Sequence, residues 1–192
     1  MHSPYREREH PPARRLVLGG ITAWLFFFFV PGQATIKLEG QTFAPTALIS
    51  GQTLRLQGAG LRTMWFIKLY AAGLYTPQRA DDATGALNML GARRLQLRML
   101  RQARPEDFIA ALIDGLKENT DARALAAMQP RVARLEQTIR AIGRASEGDV
   151  IDFDFVPDRG TTVEVNGRVH GDPIPGADLF QAVLGIFLGE RP

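Results

Sequence analysis

The chain has 192 residues, 45% hydrophobic and 22% charged, the size and composition of a single globular domain. Its formal net charge is only +3 and it has no cysteine, so neither a nucleic-acid-binding basic surface nor a disulfide framework is expected. Of three histidines only His170 lies beyond residue 34, which excludes histidine-based zinc sites and Ser-His-Asp triads from the body of the chain.

The chain opens with MHSPYREREHPPARR, which ends in the pair Arg14-Arg15. The apolar run LVLGGITAWLFFFFV (Leu16–Val30) follows, and then Pro31-Gly32-Gln33-Ala34. A basic start, a short apolar run and small residues after it form the pattern of a secretory signal, and the run is short for a membrane span. The expectation is a signal peptide over 1–34, cleaved after Ala34, and a periplasmic or secreted domain over 35–192. An uncleaved anchor is the alternative. Residues 1–34 hold four arginines and two glutamates, so 19 basic and 18 acidic residues remain beyond them.

The first β-type segments are TIKL (35–38), TALIS (46–50) and TLRLQ (53–57), with Gly51 and Gly58-Ala59-Gly60 as breakers. The aromatic run 64–75 reads as one central strand covered on both faces, because neither its odd nor its even positions are polar throughout. Gly73 inside it predicts a bulge or a close backbone approach. A short helix over about 82–90 and a strand over 93–100 come next. A helix opening at Pro105-Glu106-Asp107 buries Phe108, Ile109, Leu112, Ile113 and Leu116. A second helix is predicted to start near Pro130. VIDFDFV (150–156) alternates, with Asp152 and Asp154 expected on a wet face. TTVEVNGRVH (161–170) is a hairpin with a type I′ turn at Asn166-Gly167. A last helix begins at Pro175, with Phe180, Val183, Leu184, Phe187 and Leu188 on one face. Strands, then helices, then strands and a helix predict an α+β domain, an antiparallel sheet with a helical layer.

Ser50 and Ser146 sit in no nucleophile elbow, and Gly58-Ala59-Gly60 precedes an aromatic strand in place of the helix a dinucleotide site needs. What remains is Arg62, ahead of the aromatic run. Its guanidinium suits a carboxylate, and a nearby tyrosine adds a phenolic donor. The competing reading is an ordinary strand-end arginine before core aromatics.

GAGLRTMWFIKLYAAGLY (58–75) resembles the signature of the chalcone isomerase-like family, and FDFVPDRGTTVEVNGRVHGDPIPGADLFQAVLGIFLGERP (153–192) resembles the end of its bacterial members. The resemblance implies an open-faced β-sandwich around an apolar cleft. It places the family's arginine on Arg62, the strand threonine of the true isomerases on Tyr70, their helix tyrosine on Phe108, their asparagine on Gly115 and their C-terminal serine or threonine on Phe180. Four of five polar positions are thereby changed. Losing the hydroxyls that hold a catalytic water removes acid catalysis worth several kcal/mol. The fatty-acid-binding plant members are similar in pairing the arginine with a tyrosine. The function implied is binding of a fatty acid, an apolar molecule with an acidic end, without catalysis, metal or cofactor. Arg62 and Tyr70 would hold the carboxylate, and Phe66, Phe108 and Phe180 would line the cleft. An intramolecular lyase using Arg62 and Tyr70, and a structural or partner-binding domain, are the alternatives. On a straight strand Arg62 and Tyr70 would lie roughly 26 Å apart, so a shared site needs a turn between 58 and 66. Without one, Arg55 becomes the nearer cation.

Overall fold

β-branched and aromatic segments separated by short turns pair here into one antiparallel sheet. The computed structural model describes residues 28–29, 35–64 and 66–189. Its strands are β1 (Phe28–Phe29), β2 (Ile36–Leu38), β3 (Gln41–Phe43), β4 (Thr46–Ile49), β5 (Gln52–Met64), β6 (Ile67–Thr76), β7 (Arg93–Met99), β8 (Val150–Val156), β9 (Gly160–Val165) and β10 (Arg168–Ile174). The helices are α1 (Ala83–Leu87), α2 (Pro105–Asn119), α3 (Ala122–Ile142) and α4 (Ala177–Leu188). Strands β5 to β10 follow one another in sequence order, β4 and β1 both pair with β5, and β2–β3 is a separate hairpin. This is the α+β architecture expected, an antiparallel sheet with a helical layer. The expected signal peptide, residues 1–34, lies outside the described residues apart from Phe28–Phe29, which pairs with Ala59 and Gly58.

Alternation along the strands puts Ala72 and Leu74, Leu95, Leu97 and Met99, and Ile151, Phe153 and Phe155 under the helices. Helix α4 lies across them. All its residues from Leu179 to Leu188 are buried except Gln181, a wider apolar surface than the single stripe predicted, because α1, α2 and α3 contact its flanks. Helix α2 starts at Pro105 with Glu106 and Asp107 in its first turn, as the sequence implies. Helix α3 does not start at Pro130. Asp121 caps it, its carboxylate accepting from the N–H groups of Arg123 and Ala124 at 3.0 Å each, and Pro130 lies inside the helix on the exposed side. An interior proline costs about 3 kcal/mol, which burial of Met128, Val132, Leu135 and Ile139 on the opposite side outweighs.

The other face of the sheet is partly covered by β2–β3. Phe43 lies over Gly73, where a Cβ would come within 2.6 Å of its ring, so the glycine marks the close approach its position suggested. Asp152 and Asp154 share this face but are not wet, at 6% and 3% exposure. Arg94 grips Asp154 with two hydrogen bonds of 2.6 and 2.5 Å and reaches Asp152 at 3.4 Å, while Gln96 donates to Asp152 at 2.9 Å. Residues directly opposite on neighbouring strands supply these partners, with Arg94 facing Asp154 and Gln96 facing Asp152. Single-strand alternation carries no trace of that pairing.

Candidate functional site

The aromatic run is not one strand. Strand β5 passes a bulge at Gln57 and runs on through Gly58-Ala59-Gly60 to Met64, which pairs with Ile67, from where β6 returns antiparallel. Trp65 lies outside the described residues. Neither Gly58 nor Gly60 adopts positive φ. The glycines therefore leave β5 extended, and the reversal falls among large apolar residues where no turn signal is written.

That reversal decides the site. Arg62 and Tyr70, eight positions apart in sequence, are direct partners across the hairpin. Their Cβ atoms are therefore on one face, about 5 Å apart by the geometry of antiparallel pairs. Arg55 pairs with Thr76 at the far end of the same strands, which removes it as the alternative cation. The register shifts between Arg62 and Thr63, leaving Leu69 as the extra residue of a bulge beside Tyr70. The Leu69 carbonyl accepts from the N–H groups of Leu100 and Arg101 at 2.9 and 3.2 Å, which fixes the bulge to the end of β7.

Both side chains are half-buried and face the helical layer. The Tyr70 ring packs 6.3 Å from Phe187 of α4 at a 49° tilt, and its strand neighbour is Met99. Burial pushes the Tyr70 hydroxyl up to about 12, with the Arg62 charge pulling against it. At neutral pH the pair is thus a cation and a neutral hydroxyl donor beside an apolar wall. Among the described residues Arg62 forms no ion pair and Tyr70 no side-chain hydrogen bond, so their donors are not spent on each other or on neighbours. Such a pair can hold a carboxylate. It is poorly suited to abstract a proton, because the phenolate is scarce below about pH 12.

Comparison with known proteins identifies the family and the fold. The family model described as chalcone isomerase-like matches residues 34–192. The chain belongs to the chalcone isomerase-like family. No curated protein matches it. Among solved structures it is similar to a fatty-acid binding protein of Arabidopsis thaliana at 16% identity and a TM-score of 0.62, over 83% of this chain and 91% of that one. At that identity the likeness establishes a shared fold.

Within this chalcone isomerase-like fold the other expected site residues do not join Arg62 and Tyr70. Phe66 is 95% exposed at the hairpin tip and lines no cleft, because the turn it was expected to follow is the turn it forms. Phe108 stacks on Phe153 with centroids 6.4 Å apart, beside a small apolar hollow of about 20 Å³ under the first turn of α2. Phe180 is fully buried near the opposite end of α4 from Phe187, stacked 5.6 Å from Phe155. Gly115 cannot take the isomerases' asparagine without movement, since a Cβ there would meet Ile186 at 2.7 Å. Helix α4 occupies the space that side chain would need.

Three features escaped sequence reasoning. Arg93 is 4% exposed, its guanidinium 5.2 and 5.1 Å from the rings of Phe155 and Phe180, and its only described hydrogen bond is to the Leu87 carbonyl at 3.1 Å. An open cleft of about 600 Å³ lies between the α2–α3 turn and α4, bordered by Thr120, Asp121, Asp178 and Gln181. A groove of about 310 Å³ runs beside Arg94, Asp154 and Arg159 on the outer face. Only Arg93 had a possible signal, a basic residue in an inward-facing register of its strand.

Proposed function

We propose that this protein binds a fatty acid without transforming it, with Arg62 and Tyr70 holding the carboxylate. The observation that carries the reading is their direct pairing across the β5–β6 hairpin, on the face that meets the helical layer. Three observations support it. Tyr70 is a neutral donor beside a cation, three of the five positions where the resemblance implies a polar group in the isomerases hold Phe108, Gly115 and Phe180 here, and the similar plant protein is a fatty-acid binding protein. The alkyl chain would run from Tyr70 along Phe187 and Met99, displacing the Phe187 ring from its present contact. From the leader-like residues 1–34 we further propose that the protein acts outside the cytoplasm, which N-terminal sequencing of the protein recovered from its host checks.

Native mass spectrometry of the purified protein, followed by organic extraction, tests the binding reading. One equivalent of fatty acid, absent from an Arg62→Ala variant, is the expected result. A protein that carries none and takes up none when fatty acid is added would overturn it.

A further inference from the structure

The β5–β6 hairpin ends in an apolar tip that nothing among the described residues covers. Phe66 is 95% exposed, Ile67 54% and Met64 52%, three of the six large apolar side chains most exposed to solvent. They are clustered in one turn of the chain. The remaining three, Leu48, Leu90 and Val169, come from three separate elements or loops. Isolated exposed apolar residues need no explanation, whereas a contiguous protruding cluster marks a contact surface.

Behind the tip stands a collar of charge. Arg62 precedes Met64 by two residues, and Lys68 follows Ile67 directly. Arg101 is held beside Leu69 by its backbone N–H, and Arg144 reaches Gln102, the next residue. Two carboxylates oppose these four cations. Glu39 pairs with Lys68 at 2.7 Å and Glu147 with Arg101 at 3.3 Å, while Arg62 and Arg144 have no acidic partner among the described residues. The collar is net positive, and its spacing is informative. Two residue steps along the strand separate Arg62 from Met64 by roughly 7 Å, and an apolar segment lying in a membrane interface sinks about 5–10 Å. With the tip among acyl chains, Arg62 would sit at the level of lipid phosphates.

We propose that this hairpin tip docks on an anionic lipid surface, with Met64, Phe66 and Ile67 in the acyl region and the collar on the headgroups. The inference goes beyond the fatty-acid reading and does not depend on it. If both hold, the carboxylate site lies at the membrane surface itself, where a fatty acid leaves or enters the bilayer.

The absence of cysteine allows a clean test on the full chain. Phe66→Cys, or Met64→Cys as a second position, is labelled with an environment-sensitive fluorophore. Leu90→Cys serves as the reference, being 88% exposed in the loop before β7, at the other end of the sheet. Vesicles of equimolar phosphatidylglycerol and phosphatidylcholine should shift the emission of the tip label to the blue and leave the reference unchanged. Lipids brominated on their acyl chains should quench the tip label alone. Adding Phe66→Ser to the Met64→Cys chain should raise the lipid concentration needed for half the shift roughly tenfold, as expected for losing one buried phenylalanine. A tip label that stays in water, or equal shifts at both positions, overturns the proposal even if the protein binds free fatty acid. A shift that grows with protein concentration in the absence of lipid makes a second copy of this chain the occupant, and overturns it too.

Discussion

Replacing Arg62 by alanine should separate recognition of a carboxylate from recognition of an alkyl chain. A hydrogen bond to a charged partner contributes about 1.5–3 kcal/mol net. Arg62 is half-buried, so solvent screening favours the lower part of that range. A two-pronged contact from the guanidinium then amounts to about 2–3 kcal/mol, or roughly 30- to 150-fold in affinity. Tyr70→Phe keeps the ring on Phe187 and deletes one hydroxyl donor, for a loss of about 1–2 kcal/mol. Because both groups would grip the same carboxylate, the double variant should lose less than the sum of the two. Isothermal titration of a long-chain fatty acid and its methyl ester against all four proteins measures this. The wild type should prefer the acid by at least tenfold, and Arg62→Ala should abolish the preference. Arg62 has no ion pair among the described residues, so its loss should change the unfolding free energy by under about 0.5 kcal/mol. A wild type that binds acid and ester equally would refute the reasoning, as would an Arg62→Ala variant weakened equally for both.

Three further outcomes follow from the packing. Gly115→Asn should destabilise by about 1–3 kcal/mol in urea unfolding, because its Cβ would meet Ile186 at 2.7 Å, and Ile186→Ala in the same chain should recover part of the loss. Arg94→Leu leaves Asp152 and Asp154 buried without their cation and should cost about 3–5 kcal/mol at neutral pH. That cost should shrink as pH falls and Asp152, whose pKa burial raises, protonates, and a constant cost between pH 4 and 7 would count against the network described. Burial raises the hydroxyls of Tyr70 and Tyr75 to about 12, above the unfolded value near 10. Each therefore contributes about 2–3 kcal/mol that is fully present below pH 10 and lost as pH climbs towards 12. Melting temperature should fall steeply over that interval, and less steeply in Tyr70→Phe.

The elements were legible because their signals are local. Proline and acids at the start of α2, Asn166-Gly167 in its turn with φ of 51° and 79°, and strict alternation through β8 each report the backbone conformation of their own neighbourhood. The family signature around Arg62 was legible too, since it names residues and not contacts. Local signals failed where a longer-range term outweighed them. Pro130 looks like a helix start, yet Asp121 supplies a cap upstream and the core holds the helix together across the proline.

The sequence by itself determined the fold class and singled out Arg62 and Tyr70 as the pair to watch. Only the tertiary structure decided whether they meet. Periodicity sees which face a side chain takes on one strand, and it is blind to where the chain reverses when the turn is made of apolar residues. The same blindness hid the burial of Asp152 and Asp154, because the partner that makes their burial tolerable, Arg94, lies on a neighbouring strand some 60 residues away. It also hid the exposure of Phe66, expected in the aromatic run to line a cleft and placed in solvent by its position at the tip of the hairpin.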